Sequence, residues 1–269
     1  MHDVRSAPSV VVGIDGSRAA IQAAVWAVTE AVSRDIPLRL VYVRDPADLA
    51  GVASDHIQSS SARAALYDAQ QAVEATGEPV KVETEIVSGD PLAKLTEESW
   101  SAAMVCVGSV GIKSTCHDGR SVAAALPGLA QCPVAVIRRP VCRPAGPEAG
   151  SIVVEVDNGL VLRHAFEEAR LRGAPLRVVA PYRAEAPDDT ADRKRLVHAH
   201  LNRRVVGWQR RYPDVEVEPV AVRGSVCDYL ANNGKSLQLF VAGAQRGRCD
   251  LGMPRSVEFS VLTVGRTNL

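Results

Sequence analysis

The chain alternates short, unbroken apolar runs with longer segments whose apolar residues recur at helical spacing. Val10-Val11-Val12-Gly13-Ile14-Asp15 is a strand-length run closed by an acid; after Gly16 and Ser17, residues 19–32 carry their apolar side chains on a 3.6-residue period. That helix stops near Asp35 and Pro37, and residues 38–43 form the next β-rich run, completing a βαβ unit. The pattern then predicts a helix over 54–76, a strand over 80–87, a helix over 91–100 and strands over 103–107 and 134–137.

The same order returns. Ile152-Val153-Val154-Glu155-Val156-Asp157 again ends in an acid; it is followed by a helix over 160–171 that Gly173 and Pro175 break, and by a strand over 176–180. Further elements follow as a helix over 188–211, a strand over 215–222, a helix over 226–232 and a strand over 237–242. Asp157 answers Asp15, Pro175 answers Pro37 and Gly243 answers Gly108, each at an offset close to half the chain. A period this long is a duplicated domain rather than a solenoid. Between the copies, Arg139-Pro140-Val141-Cys142-Arg143-Pro144-Ala145-Gly146-Pro147 reads as a linker. The expected organisation is a first domain over 1–139, a linker over 140–150 and a second domain over 151–269. Each is an α/β domain with a parallel five-stranded sheet covered on both faces, whose ligands sit beyond the carboxyl ends of the strands.

Composition supports that class: 46% of the residues are hydrophobic and only 4% aromatic, which suits Val-rich strands packed by Ala-rich helices. The formal charge is zero, which speaks against a nucleic-acid binder. It conceals 12 basic against 16 acidic residues (net −4) over 1–140, and 18 against 14 (net +4) over 151–269. No run reaches the roughly 20 apolar residues of a membrane span, and Met1-His2-Asp3-Val4 lacks the features of a signal peptide, so the expected location is cytoplasmic. Cys106, Cys116, Cys132, Cys142, Cys227 and Cys249 form no CxxC pair and are expected as thiols.

The candidate chemistry lies after the fourth strand. Gly108-Ser109-Val110-Gly111 can bring backbone amides close to a phosphate, and Arg120-Ser121-Val122 opens a helix that Ser121 can cap and whose N-terminus favours an anion. An acid after a strand is also a common helix N-cap, so Asp15 and Asp157 carry that structural reading as well.

These residues resemble the universal stress protein family in its tandem, two-domain form. Nucleotide-binding members carry an acid after the first strand, then Gly-x-x-Gly, nine residues, and Gly-Ser or Gly-Thr. Asp15, Gly108, Gly111 and Ser121 match that pattern. Ile86-Val87-Ser88-Gly89-Asp90-Pro91 and Cys132-Pro133-Val134-Ala135-Val136-Ile137 look like family segments too. The resemblance implies Rossmann-like, adenine nucleotide hydrolase-like domains. It implies that Asp15 and the backbone at Val43 meet adenosine, while Gly108, Gly111, Arg120, Ser121 and Val122 surround the phosphates. The implied ligand is ATP or a related adenine nucleotide, alone or with Mg²⁺. Arg120 stands where the family has its third glycine; it either neutralises a phosphate or fills the pocket, unless the loop shifts so that Gly119 serves.

The second copy departs further. Asp157, Gly243, Ser256 and Val257 are its matching positions, but the second glycine is missing after Gly243-Ala244-Gln245-Arg246 unless Gly247 replaces it. Arg255 again precedes Ser256, and Pro181 supplies no N–H toward adenine. The family's last strand would begin only at Leu269, so the second sheet is expected to lack it and to expose an edge.

Other motifs are weaker. Gly234-Lys235-Ser236 looks like a P-loop ending but precedes a strand, and Cys116-His117 has no second ligand cluster. The Arg193-Lys194-Arg195, Arg203-Arg204 and Arg210-Arg211 clusters read as a solvated helix face. No acid, base and nucleophile set is visible. The expected function is therefore regulatory, and the resemblance implies a stress-response protein binding nucleotide mainly through its first domain and pairing, as family members do, through the last strand at residues 134–137, between copies or between chains as a homodimer. The alternatives are a nucleotide-free interaction scaffold of the same fold and a weak ATP hydrolase. Neither nucleic acid nor membrane is an expected partner.

Overall fold

The computed structural model describes residues 8–45, 52–109, 121–138, 150–156, 158–183, 189–244 and 259–265. The chain divides into two compact units, one formed by residues 1–141 with 265–269 and the other by residues 142–264. Apart from residue 150, the linker expected at 140–150 lies outside the described residues.

The first unit runs β1 (Val10–Ile14), α1 (Arg18–Arg34), β2 (Leu38–Arg44), α2 (Val52–Glu74), β3 (Val82–Ser88), α3 (Pro91–Glu98), β4 (Met104–Gly108), α4 (Val122–Ala125), a 3₁₀ turn at Leu126–Gly128, and β5 (Val134–Ile137). Its strands are parallel in the order β3-β2-β1-β4-β5. Chain direction across the sheet therefore reverses between β1 and β4, which opens a crevice at their carboxyl ends. Val10, Val11 and Val12 are wholly buried, as a central strand covered on both faces requires. On one face Val11, Val41, Val105, Val107, Val134 and Val136 pack with Leu95, Ala123 and Leu126. Strand alternation sends Val10, Val12, Leu38, Leu40 and Met104 to the other face, which α1 covers with Ala20, Ala23, Ala24, Ala27 and Ala31. Small side chains there let the helix lie close on the sheet.

The second unit runs β6 (Ser151–Glu155), α5 (Gly159–Arg172), β7 (Leu176–Tyr182), α6 (Asp189–Arg211), β8 (Val217–Arg223), α7 (Val226–Asn233), a 3₁₀ turn at Gly234–Ser236, β9 (Leu237–Gly243) and β10 (Ser260–Val264). Its parallel order, β8-β7-β6-β9-β10, repeats that of the first unit. The expected loss of the last strand is corrected: β10 is present and pairs with β9 along its whole length, from Ser260↔Leu239 to Val264↔Gly243. The connection is shorter in this copy, running from Gly243 to Ser260, whereas the one between β4 and β5 runs from Gly108 to Val134. Phe259, immediately before β10, is fully buried beside Val153, Leu230 and Phe240, and in the first copy Ala123 and Leu126 belong to the corresponding core.

Two features escaped the sequence pattern. Glu30 is completely buried in α1 and paired with Arg34 at 2.5 Å; Glu168 in α5 repeats the arrangement with Arg172 at 3.0 Å. Cys227, expected as a thiol, is disulfide-bonded, whereas Cys106 and Cys132 are buried thiols.

Candidate functional site

The crevice at the carboxyl ends of β1 and β4 is lined by residues from six elements and the turns beside them. β1 ends at Ile14 opposite Tyr42, but β2 continues to Arg44 against β3, so Asp15 and Val43 both stand beyond the last β1–β2 pair. The floor is apolar, made by Val41, Leu95 and Val107, with Val122 and Ala123 to the side; Asp15, Ser17, Ser109 and Ser121 supply polar groups. The enclosed volume is about 110 Å³. That is below the roughly 300–1,000 Å³ of complete small-molecule sites.

Each wall residue is held for a local reason. Asp15 accepts a hydrogen bond from the Ser17 amide at 2.9 Å, and Ser17 Oγ in turn accepts from the Ala20 amide at 3.1 Å. Ser17 is therefore the N-cap of α1, and the capping role considered for Asp15 is corrected: the acid shapes the turn one step earlier. Gly16, at φ 83°, supplies the left-handed residue that this turn needs. Asp90 caps α3 through the Ala93 amide at 2.8 Å and Pro91 starts it, which sets Leu95 one turn later on the floor.

Gly108 has a packing reason to lack a side chain, beside the one read from sequence. A Cβ there would lie 2.5 Å from the carbonyl carbon of Ala19 and 2.7 Å from the Ala20 nitrogen, so the glycine admits the first turn of α1. Ser121 caps α4 through the Ala124 amide at 3.3 Å, as expected. That helix is a single turn of four residues, however, too short for a substantial end charge.

Of the sequence-derived positions, Asp15, Val43, Gly108, Ser121 and Val122 share this one crevice. Gly111 and Arg120 lie outside the described residues, as do Asp157, Ser256 and Val257 of the second copy. Gly243 is buried at the end of β9, level with Val264. Sequence reasoning missed Ser17, Pro91 and Leu95 as wall residues. Leu95 was findable, since it lies one helical turn after Pro91 on the inward stripe of a helix.

The two copies differ at the floor. Gly13 pairs with Val41, and Glu155 pairs with Val179, which stands to Pro175 as Val41 stands to Pro37. Where a Cβ at 13 would meet Leu95 at 3.0 Å, the second copy carries a carboxylate side chain. Among the described residues no group of three or more His, Cys, Asp or Glu is placed to hold a metal ion. Asp15 is the one carboxylate of the described wall, so Mg²⁺ would have to arrive on nucleotide phosphates.

The family model described as "Universal stress protein family" matches residues 8–138. A universal stress protein of Mycobacterium tuberculosis is 55% identical over 272 residues, covering 100% of both chains. The chain belongs to the universal stress protein family. A second family member from the same organism is 46% identical over 255 residues, covering 91% of this chain and 88% of its own. In three dimensions the chain is similar to a universal stress protein from Archaeoglobus fulgidus, with a TM-score of 0.72, coverage of 98% on each side and 16% sequence identity. That likeness concerns the fold.

Proposed function

We propose that the first copy binds ATP or a related adenine nucleotide as a regulatory ligand, in a cytoplasmic stress response and with little or no turnover. The reading rests on one observation: Asp15, Val43, Gly108, Ser121 and Val122, drawn from distant parts of the chain, line a single crevice with an apolar floor and a polar rim. An adenine ring suits the floor, and the Asp15 carboxylate suits ribose hydroxyls as an acceptor. Binding acts by favouring one conformation or one assembly, a homodimer among them.

The second copy is proposed as nucleotide-free, because it carries the Glu155 side chain where the first copy has Gly13 close against Leu95, and Pro181 has no amide hydrogen. Equilibrium dialysis of the purified chain with labelled ATP tests both points. Saturation at one nucleotide per chain is expected, with no steady release of ADP. Retention of none at millimolar nucleotide removes the proposal and leaves the interaction scaffold; steady ADP release lost in Asp15→Ala favours the hydrolase. Mass measurement of the eluted protein, with and without ATP, checks the dimer.

A further inference from the structure

Helix α6 carries a solvent-facing stripe of apolar and basic residues. Its inward stripe holds Leu201 and Val205, both buried, with Trp208 stacked on Phe166 at 5.9 Å between ring centroids, and Tyr212 just beyond the helix is buried as well. On the opposite side, Leu196, Ala199, Arg203, Val206 and Arg210 follow one another at alternating steps of three and four, the spacing of a coiled-coil seam. All five are exposed, Leu196 by 69% and Val206 by 47%. Gly207 beside them has open space where a Cβ would be, although glycine within a helix costs about 1 kcal/mol relative to alanine. No Asp or Glu occurs from 193 to 211, whereas seven Arg or Lys do.

The duplicated fold supplies an internal control. Helix α2 occupies the corresponding place in the first unit, and its exposed positions Arg63, Ala64, Tyr67, Asp68, Gln71 and Glu74 are of mixed character. Among the described side chains of α2, Arg63 is the one exposed cation, so the fold itself does not demand a basic stripe there. Leucine and valine alternating with arginine are poorly suited to a phosphate backbone, which needs charge alone. No aromatic side chain is exposed along the stripe for a base to stack on.

We propose that the outer face of α6 is a docking surface for an amphipathic helix of another protein, one with apolar residues at heptad spacing and flanking Asp or Glu. The apolar positions interlock with Leu196, Ala199 and Val206, Gly207 admits a close approach, and the acids meet Arg203 and Arg210.

A labelled synthetic peptide of about 20 residues, with leucine at heptad positions and glutamate on both flanks, tests this against the full-length chain by fluorescence anisotropy. Saturable binding is expected, weakening about tenfold between ~0.05 and ~0.5 M salt. The Arg203→Glu/Arg210→Glu variant and the Leu196→Ser/Val206→Ser variant are each expected to lose about tenfold in affinity, with thermal melts unchanged. Absence of binding overturns the proposal, as does equal binding of a peptide carrying lysine in place of glutamate. It is overturned too if duplex RNA or anionic vesicles bind the stripe while the acidic peptide does not, or if self-association of the chain is what the variants abolish. An equal loss in Arg63→Glu on α2 removes the assignment to α6.

Discussion

Gly108 and Ala19 touch so closely that a methyl group at 108 would sit 2.5 Å from the Ala19 carbonyl carbon. The obstacle is backbone at the first turn of a long helix, which cannot move aside as a side-chain tip can. Gly108→Ala is therefore expected to destabilise the chain by about 1–3 kcal/mol, read as a lower urea midpoint. Gly128→Ala, which meets open space, should leave the midpoint nearly unchanged. Equal effects would show that the close approach of α1 to β4 is not what fixes glycine at 108.

Helices α1 and α5 both end in the left-handed conformation, but on different residues. Asp35 has φ 52°, and Gly173, which precedes Pro175 as Asp35 precedes Pro37, has φ 57°. A side chain in this region is strained and glycine is not. Asp35→Gly should stabilise by about 0.5–1 kcal/mol and Gly173→Ala should destabilise by a similar amount. Thermal unfolding of both variants checks the pair, and a destabilising Asp35→Gly would mean that the aspartate makes a compensating interaction.

The succession of elements and the domain repetition were legible because parallel strands are continuous Val-rich runs and the breaks at Pro37 and Pro175 recur. The last strand of the second copy was not. A constant offset between the copies places it too late in the chain, because the span from Gly243 to Ser260 is shorter than that from Gly108 to Val134. At the site, Asp15, Val43 and Ser121 were legible as a motif. The packing reason for Gly108 was not, because the helix turn it admits belongs to a distant part of the sequence, at Ala19 and Ala20. The buried Glu30 and Glu168 were hidden for a similar reason: a carboxylate on a helix reads as a surface residue until packing encloses it.

The Glu30–Arg34 pair makes a direct test of that enclosure. With Glu30 wholly buried and Arg34 mostly so, deleting the acid removes the carboxylate partner of a largely enclosed guanidinium, leaving its bond to the carbonyl of residue 30. Glu30→Ala should cost about 3 kcal/mol, and Glu168→Ala a comparable amount. By contrast Glu83→Ala, which breaks a pair with the exposed Lys81, should change stability little. If all three melt alike, the two buried pairs contribute no more than surface ones.

Asp15 has two separable duties, the turn at Ser17 and the proposed contact with a sugar. Asn at this position retains one acceptor oxygen, enough for the Ser17 amide, but replaces the other oxygen with a donor. Asp15→Asn is thus expected to keep the melting temperature while weakening ATP binding about tenfold; Asp15→Ala should lose both. Calorimetric titration beside a thermal melt distinguishes them. Unchanged affinity in Asp15→Asn would restrict the residue to its structural duty.

Cys132 gives a pH dependence whose sign can be worked out. Burial penalises the thiolate and pushes its pKa up from 9.0 to about 12, a rise that hydrogen bonds from the Val105 and Cys132 amides only partly offset. Below pH 9 the thiol is protonated both folded and unfolded, so it adds no slope. As pH climbs from 9 toward 12 the unfolded chain releases the proton first and binds fewer protons than the native one, so stability falls across that window. Cys132→Ala should flatten this part of the stability–pH curve. Peptide mapping after iodoacetamide treatment at moderately alkaline pH should find Cys132 unmodified in the native chain and alkylated in urea. Alkylation of the native residue at the rate of a free thiol would show that the Sγ is neither enclosed nor held protonated.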